Sequence, residues 1–405
     1  MANVHCTVCD RTGLERSLEF GPQPLSTKFG RHANLSKFTI FYDLSIGHCK
    51  HCHTIQLIDR FPLDVLQGKD PAVRFREPSA HLPQVLAKLQ SLKIVRSECR
   101  IAGLSYIDRD LLDLIQTPCD GIALSLEPDG KHERSQKQGL ETLQSLYSTV
   151  AYIDDWTRTH GRMDFISARF ILEHAESALH FLKSIKRSIR SGGYLLIEVP
   201  DARKIIASMN HALIWEDHFT YFTADTLTYV AQLAGYSIVD LQRYPYPYED
   251  ALVAILRAEP KEILSRSLLQ SSVAHLAIGL EEFSASFSRA KTVWQQALSK
   301  ELETGRKLAI FGAGHHAVKF VNFYSLGGFL ECAIDDNPTK SGMYLAGTKL
   351  QIRSSAALNA LNIRLCLSSL NPTSEAGLRT TLPDYFARGG EFRPCFVPNW
   401  ENYVD

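Results

Sequence analysis

The stretch Ala178-Leu179-His180-Phe181-Leu182-Lys183-Ser184-Ile185-Lys186-Arg187-Ser188-Ile189-Arg190-Ser191-Gly192-Gly193-Tyr194-Leu195-Leu196-Ile197-Glu198-Val199 decides the fold class. Ala178, Phe181, Leu182, Ile185 and Ile189 recur at helical spacing and predict one apolar stripe. Ser191-Gly192-Gly193 predicts its stop, and the run from Tyr194 to Val199 reads as a buried strand. The same alternation extends upstream. Leu82, Val85, Leu86, Leu89 and Leu92 predict a helix ahead of the short apolar run Ile101-Ala102-Gly103-Leu104. Gly121-Ile122-Ala123-Leu124-Ser125-Leu126 and Asp164-Phe165-Ile166-Ser167-Ala168 are further strand candidates. Strands separated by helices predict an α/β, mostly parallel, doubly wound sheet, and such sheets bind ligands beyond the carboxyl ends of their strands.

The chain around this core has 405 residues, enough for two or three domains. Its 44 basic and 44 acidic side chains cancel, so no net field favours a nucleic acid or an anionic membrane. No apolar run reaches the roughly 20 residues that span a bilayer, and the first residues lack the pattern of a signal peptide. A cytoplasmic location follows as the expectation. There thiols stay reduced, so the nine cysteines read as ligands or small core residues rather than disulfides.

Four of them form two pairs, Cys6-Thr-Val-Cys9 and Cys49-Lys-His-Cys52. Each short loop lets two thiolates from one turn bind one ion, and two such knuckles complete a tetrahedron around zinc. Four thiolates close the site, so the zinc is expected to be structural. The long spacer between the pairs contains Gly21-Pro22-Gln23-Pro24 and the β-like Phe38-Thr39-Ile40-Phe41-Tyr42, which predict a small inserted hairpin. A redox Cys-x-x-Cys is the alternative. It is disfavoured because two knuckles occur and neither lies in a βαβ pattern.

At the other end, Val273, Leu276, Leu280, Phe283, Phe287 and Trp294 predict a long amphipathic helix between about Pro260 and Gly305. It can serve packing within the chain or a dimer seam. Lys307-Leu308-Ala309-Ile310-Phe311-Gly312-Ala313-Gly314-His315-His316 then reads as strand, glycine turn and helix start, a shape that offers backbone N–H groups to a phosphate. Tyr244-Pro245-Tyr246-Pro247-Tyr248-Glu249-Asp250 supplies aromatics for stacking on a base or sugar, or forms an extended surface linker.

In order along the chain, Leu126-Glu127-Pro128, Ile171-Leu172-Glu173-His174, Gly192-Gly193 and Glu198-Val199-Pro200 resemble class I S-adenosylmethionine-dependent methyltransferases. The motif Glu216-Asp217-His218-Phe219-Thr220-Tyr221-Phe222, together with the cysteine knuckles, narrows the resemblance to the sugar C-methyltransferases of deoxysugar biosynthesis. It implies a zinc-binding domain over residues 1–62, a class I methyltransferase domain over 63–258, and a connecting helix with a Rossmann-like domain over 259–405. The cofactors it implies are S-adenosylmethionine and zinc, and the partner is a nucleotide-sugar substrate.

The same resemblance assigns residues. A carboxylate ending the second strand can accept both ribose hydroxyls of a nucleoside, which marks Glu127 as the ribose ligand; alone, it would read as a helix-capping acid before Pro128. Asp154 is placed to reach the adenine amino group or is a solvated loop acid. Gly103 and Ser167 complete the expected cofactor contacts. Such enzymes usually have a glycine-rich turn after the first strand, where a Cβ would block the cofactor, but here Gly103 is the one glycine in the turn. His218 matches the family's base, which removes a proton from the sugar carbon beside a 4-keto group, with Asp217 where glutamate is usual. His174 matches a second histidine of the same site. Apart from the resemblance, each histidine also reads as a packing partner of aromatics such as Tyr221 and Phe170. Trp215 and Phe75 fall where related enzymes often carry tyrosines. Trp215, Tyr221, Gly312, Gly314 and Asp335 are the expected substrate contacts.

Overall fold

The computed structural model describes residues 5–31, 40–67, 77–116, 123–125, 139–259 and 273–396, in three sheets. The first is antiparallel and contains the strands Leu14–Pro24, Phe41–Cys49, Ile55–Leu57 and Thr220–Tyr221. Its first two strands are the hairpin expected between the cysteine pairs. At its end the four thiols converge, with all Sγ atoms within 4.8 Å of one another, Cys6 to Cys52 at 3.5 Å and Cys9 to Cys49 at 3.6 Å. Zn–S bonds of about 2.3 Å give a tetrahedron with edges of about 3.8 Å, so the four sulfurs fit that ion. The N–H of Val8 and the Gln56 amide donate to Cys6 Sγ at 3.4 and 3.2 Å, and the N–H of His51 donates to Cys49 Sγ at 3.4 Å. Such donors favour the thiolate form that a metal requires.

The second sheet runs Ala123–Ser125, Ile101–Gly103, Met163–Arg169, Ile189–Pro200, Ala251–Ala258 and Tyr236–Tyr244 in spatial order. Its first four strands are parallel, and Ala251–Ala258 runs antiparallel to both neighbours. Alternation along the strands divides the core. Phe165, Leu196, Val253 and Ile255 pack under helices Leu82–Ser91 and Arg109–Gln116, while Ile166, Leu195, Ile197 and Ala254 face helices Leu140–Ser148, Val150–His160 and Ala178–Lys186. Helices on both faces make this the doubly wound sheet that the periodicity predicts.

One junction differs. The helix ends at Lys186 and Ile189 already belongs to the strand, paired with Met163. Ser188 Oγ donates to the Ile185 carbonyl at 2.7 Å and closes the helix early. Gly192, at φ +73°, lies within the strand where the register shifts, so the glycines shape a bulge rather than the helix stop. Ile189 is buried in the same cluster as Phe181, Leu182 and Ile185, which is why the apolar stripe reads as continuous through it.

The third sheet is parallel throughout, in the order Ile352–Arg353, Cys332–Ile334, Lys307–Phe311, Ile363–Ser368 and Glu391–Pro394. Leu308, Ile310, Ala333, Leu365 and Leu367 point into a core shared with the first sheet, residues Ala202 to Tyr221, and the long helix Val273–Glu303. That helix buries Leu280, Phe283, Ala290 and Trp294 there, so its apolar seam packs within the chain. No helix among the described residues is long and apolar enough to cross a membrane.

Two buried polar contacts lock this shared core. Lys319 Nζ, from helix His315–Phe323, lies 2.5 Å from Glu216 Oε2, and Glu216 Oε1 accepts from the Ser26 N–H at 2.6 Å and its hydroxyl at 2.7 Å. Burial pushes the Glu216 carboxyl up, but the Lys319 ammonium outweighs it and leaves the group below its ordinary range. Elsewhere, His211 Nε2 lies 2.8 Å from the Phe283 carbonyl and Nδ1 lies 3.0 Å from the Tyr324 hydroxyl. Burial drives its pKa from 6.5 down to about 4.

Three outcomes follow from these contacts. Cys49→Ser should lose the zinc, read as metal content falling from one ion per chain towards none. Glu216→Gln strands a buried ammonium and should cost about 3–5 kcal/mol in urea unfolding, with partial recovery when Lys319→Met is added. The folded protein keeps His211 neutral while the unfolded chain protonates it below 6.5, so stability falls as pH drops from 6.5 towards 4. That loss is about 2 kcal/mol at pH 5, and His211→Gln should flatten this limb of the unfolding curve; an unchanged slope would refute the assignment.

Candidate functional site

The strands Met163–Arg169 and Ile189–Pro200 end at one edge of the second sheet, and a cavity of about 680 Å³ opens there towards the third sheet. Phe170, Glu173, His174, Trp215, Asp217 and His218 form one wall and Tyr246, Tyr248 and Glu249 another; Gly314, His315, His316 and Lys340 line the side belonging to the third sheet. Phe170 takes the left-handed value φ +47°, rare for a bulky side chain, and so turns the chain sharply off the strand into the 3-10 turn Leu172–His174.

Around that turn the titratable groups crowd together. His174 Nδ1 lies 3.3 Å from Glu141 Oε1, both buried. Burial depresses the His174 pKa, but donation from its ring to the Glu141 carboxylate and the charge of Asp217 raise it above its ordinary value overall. The His174 and His218 rings meet edge to face with centroids 4.7 Å apart. Donor atoms of Glu173, His174 and His218 fall within 4.8 Å of one another, as do those of Glu141, His174 and Asp217. Glu173 is 1% exposed, and neither carboxylate oxygen has a hydrogen-bond partner. Burial pushes Glu77 up to about 7, and Glu173 and Glu249 to about 8 each.

The expected catalytic residues His218, Asp217 and His174 therefore meet at one wall, and Trp215 and Gly314 share the cavity with them. Trp215 also stacks near His315 and His316, with centroids 5.2 and 5.0 Å away. Tyr221 stands behind it: its hydroxyl accepts from the Trp215 N–H at 2.7 Å and donates to the Trp215 carbonyl at 3.3 Å. Gly312, at φ +90°, makes the turn before Gly314, where a Cβ would meet Ser369 Oγ at 2.6 Å. Asp335 braces that turn by accepting from the Ala313 N–H at 3.0 Å and pairing with Lys340 at 2.7 Å.

The expected cofactor contacts are dispersed. Glu127 and Phe75 lie outside the described residues. Asp154 is on the outer face of helix Val150–His160, bound to Arg187 through two contacts of 2.7 and 2.6 Å. A Cβ on Gly103 would meet Asp108 Cβ at 2.7 Å and Leu112 Cδ1 at 2.8 Å. The Asp108 carboxylate accepts from the N–H groups of Leu104 and Ser105 at 3.1 and 3.0 Å and from Ser167 Oγ at 2.6 Å. In this turn a side chain of the protein itself thus engages the backbone donors, and Gly103 leaves room for it.

Four contributors escaped the sequence reading. Glu77 sits beside a proline, Glu249 within an aromatic run, Glu141 on a helix face, and Glu173 in a motif valued for its histidine. Only Glu173, adjoining His174, carried a local signal. A buried triad supports the cavity from below, with Glu198 paired to Arg169 and, at 3.0 Å, to His81, whose Nδ1 lies 2.7 Å from the Tyr246 hydroxyl.

Comparison with known proteins matches three family models in order: a zinc-binding domain over residues 6–66, a methyltransferase domain over 103–241 and a C-methyltransferase C-terminal domain over 270–394. No curated protein matches the chain. Among solved structures, it is similar to a Burkholderia thailandensis 1,6-didemethyltoxoflavin-N1-methyltransferase with bound 1,6-didemethyltoxoflavin and S-adenosylhomocysteine, at 15% identity, 44% coverage of this chain, 79% of that chain and a TM-score of 0.28. It is also similar to a Synechocystis magnesium protoporphyrin IX methyltransferase with bound S-adenosylmethionine, at 11% identity, coverages of 47% and 88%, and a TM-score of 0.29. A Methanosarcina mazei S-adenosylmethionine-dependent methyltransferase gives 10% identity, coverages of 42% and 98%, and a TM-score of 0.30. The three matches fall mainly on the three sheets in turn, so the chain carries, in order, a zinc-binding domain, a methyltransferase domain and a C-methyltransferase C-terminal domain.

Proposed function

We propose that the chain transfers a methyl group from S-adenosylmethionine to a carbon of a nucleotide-activated keto deoxysugar, with His218 as the general base. The observation that carries this reading is the convergence of His218, Asp217 and His174 on one wall of a cavity whose opposite side belongs to the third sheet. A volume of about 680 Å³ falls within the usual range for small-molecule sites and leaves room for a donor beside an acceptor. The bound cofactor would supply an electrophilic methyl. His218, partly open to the cavity, would take the proton from the carbon beside the keto group, and Asp217 would hold a compensating charge. His174, oriented by Glu141, is the adjoining donor for the enolate oxygen. Gly314, and Lys340 from its pairing with Asp335, line the side that would meet the anionic part of the substrate. The domain limits 1–62, 63–258 and 259–405 form part of the same proposal.

A second reading, a nucleotide-sugar-binding protein without turnover, is favoured by one observation: Asp108 occupies the N–H donors of the turn after the first strand of the second sheet. Calorimetry with S-adenosylmethionine separates the two, since absence of binding at millimolar concentration leaves no methyl donor.

The test of the first reading is incubation with methyl-labelled cofactor and a panel of nucleotide sugars, with and without a 4,6-dehydratase. The expected product carries the label on a sugar carbon by NMR. His218→Asn should lower turnover by about 10²–10⁴-fold with cofactor binding retained. Undiminished turnover in that variant would favour an oxygen or nitrogen acceptor instead.

A further inference from the structure

Glu173 presents a chemical puzzle that methyl transfer leaves unsolved. Its carboxylate is buried, faces the cavity and has no hydrogen-bond partner. Of the charges acting on it, those of Glu77 and Glu249 oppose its ionisation and that of His174 favours it. Leaving such a group without a partner is costly; burial favours its protonated form, and a bound cation would take the place of that proton.

The two imidazoles specify which kind. With Nδ1 of His174 held by Glu141 at 3.3 Å, its Nε2 offers a lone pair once the ring is neutral, giving up the proton it would lend an enolate, in the carboxylate–histidine arrangement that orients a metal ligand. The ring of His218 meets that of His174 at 78°, which allows their nitrogens to converge, and donor atoms of both lie within 4.8 Å of a Glu173 oxygen. Asp217 adds a second carboxylate alongside. An organic ammonium would use the carboxylates but gain nothing from imidazole lone pairs. Two nitrogens and a carboxylate, open on one side to a cavity, suit a divalent transition ion, manganese included, rather than calcium or magnesium.

We infer that Glu173, His174 and His218 form a second metal site, separate from the four cysteines, that takes one divalent transition-metal ion at the cavity wall. This goes beyond the reading of His218 as base and constrains it. A cation at the site holds the lone pair that proton removal needs, so the loaded protein loses that base.

The test uses the full chain with zinc already on its cysteines, titrated with Mn²⁺ and followed by the EPR signal of the free ion. Thiolate sites prefer zinc to manganese, so the cysteines do not compete for the probe. The expected result is one Mn²⁺ per chain, with affinity reduced about tenfold or more in Glu173→Gln and in His218→Asn, at unchanged zinc content. If Glu173→Gln fails to fold, the partly exposed His218→Asn carries the test alone. No uptake at millimolar Mn²⁺, or equal uptake in the wild type and a folded variant, overturns the site. Turnover that falls as Mn²⁺ is taken up supports both the site and the base. Turnover that rises with uptake keeps the site and removes His218 from the role of base.

Discussion

The carboxylate of Glu216 is the point at which the first sheet, the third sheet and the segment that carries His218 meet. One oxygen binds Ser26 of the first sheet's connection and the other binds Lys319 on the helix that follows the glycine turn of the third. Neither ion would be tolerated at this depth alone, because an unpaired buried charge costs several kcal/mol. Each is stable only when all three parts are in place, so the pair works as a condition on assembly more than as a source of stability. It also lies next to Asp217 and His218 in the chain. Whatever moves the third sheet relative to the second acts on the cavity wall through a single peptide step.

That coupling explains why the cavity can be built from separate modules and still hold its groups at defined distances. The 3-10 turn with Glu173 and His174 is set by a strained Phe170, and the facing segment with His218 is held by Glu216 on one side and by the Tyr221 hydroxyl on the Trp215 backbone on the other. Beneath them the Arg169, Glu198 and His81 cluster satisfies its charges internally and carries Tyr246 into the cavity. The floor is rigid and neutralised, while the wall above it is acidic and only partly paired. Chemistry belongs to the second of these.

Much of this was legible because it is local. Cysteine spacing, the alternating strands and the Gly312 turn depend on neighbours a few residues away, and the structure has them as read. Resemblance brought His218, Asp217 and His174 together, which no periodicity could do. What stayed hidden depends on distance in sequence. Ser26 and Glu216 are 190 positions apart, and nothing near either residue signals the other. Ile189 misled for a related reason: burial in one cluster makes a helix stripe and the next strand look continuous. Asp108 reads as an ordinary helix-start acid, yet it reaches back across the turn and fills space beside Gly103.

The strand Thr220–Tyr221 pairs with Ile55–Leu57 and completes the sheet of the zinc-binding domain from the far side of the methyltransferase core; Thr7 and Thr220 hydroxyls also touch at 2.8 Å. On a ribosome this ordering has a cost. The knuckles can close on their metal once Cys52 has emerged, but the edge of that sheet stays open until residue 221 has been made. An unpaired edge invites pairing with another chain, so the nascent protein adds every residue between Leu57 and Thr220 with this edge exposed to misassembly. The zinc then acts as an early anchor, holding a half-finished sheet in shape until its last strand arrives.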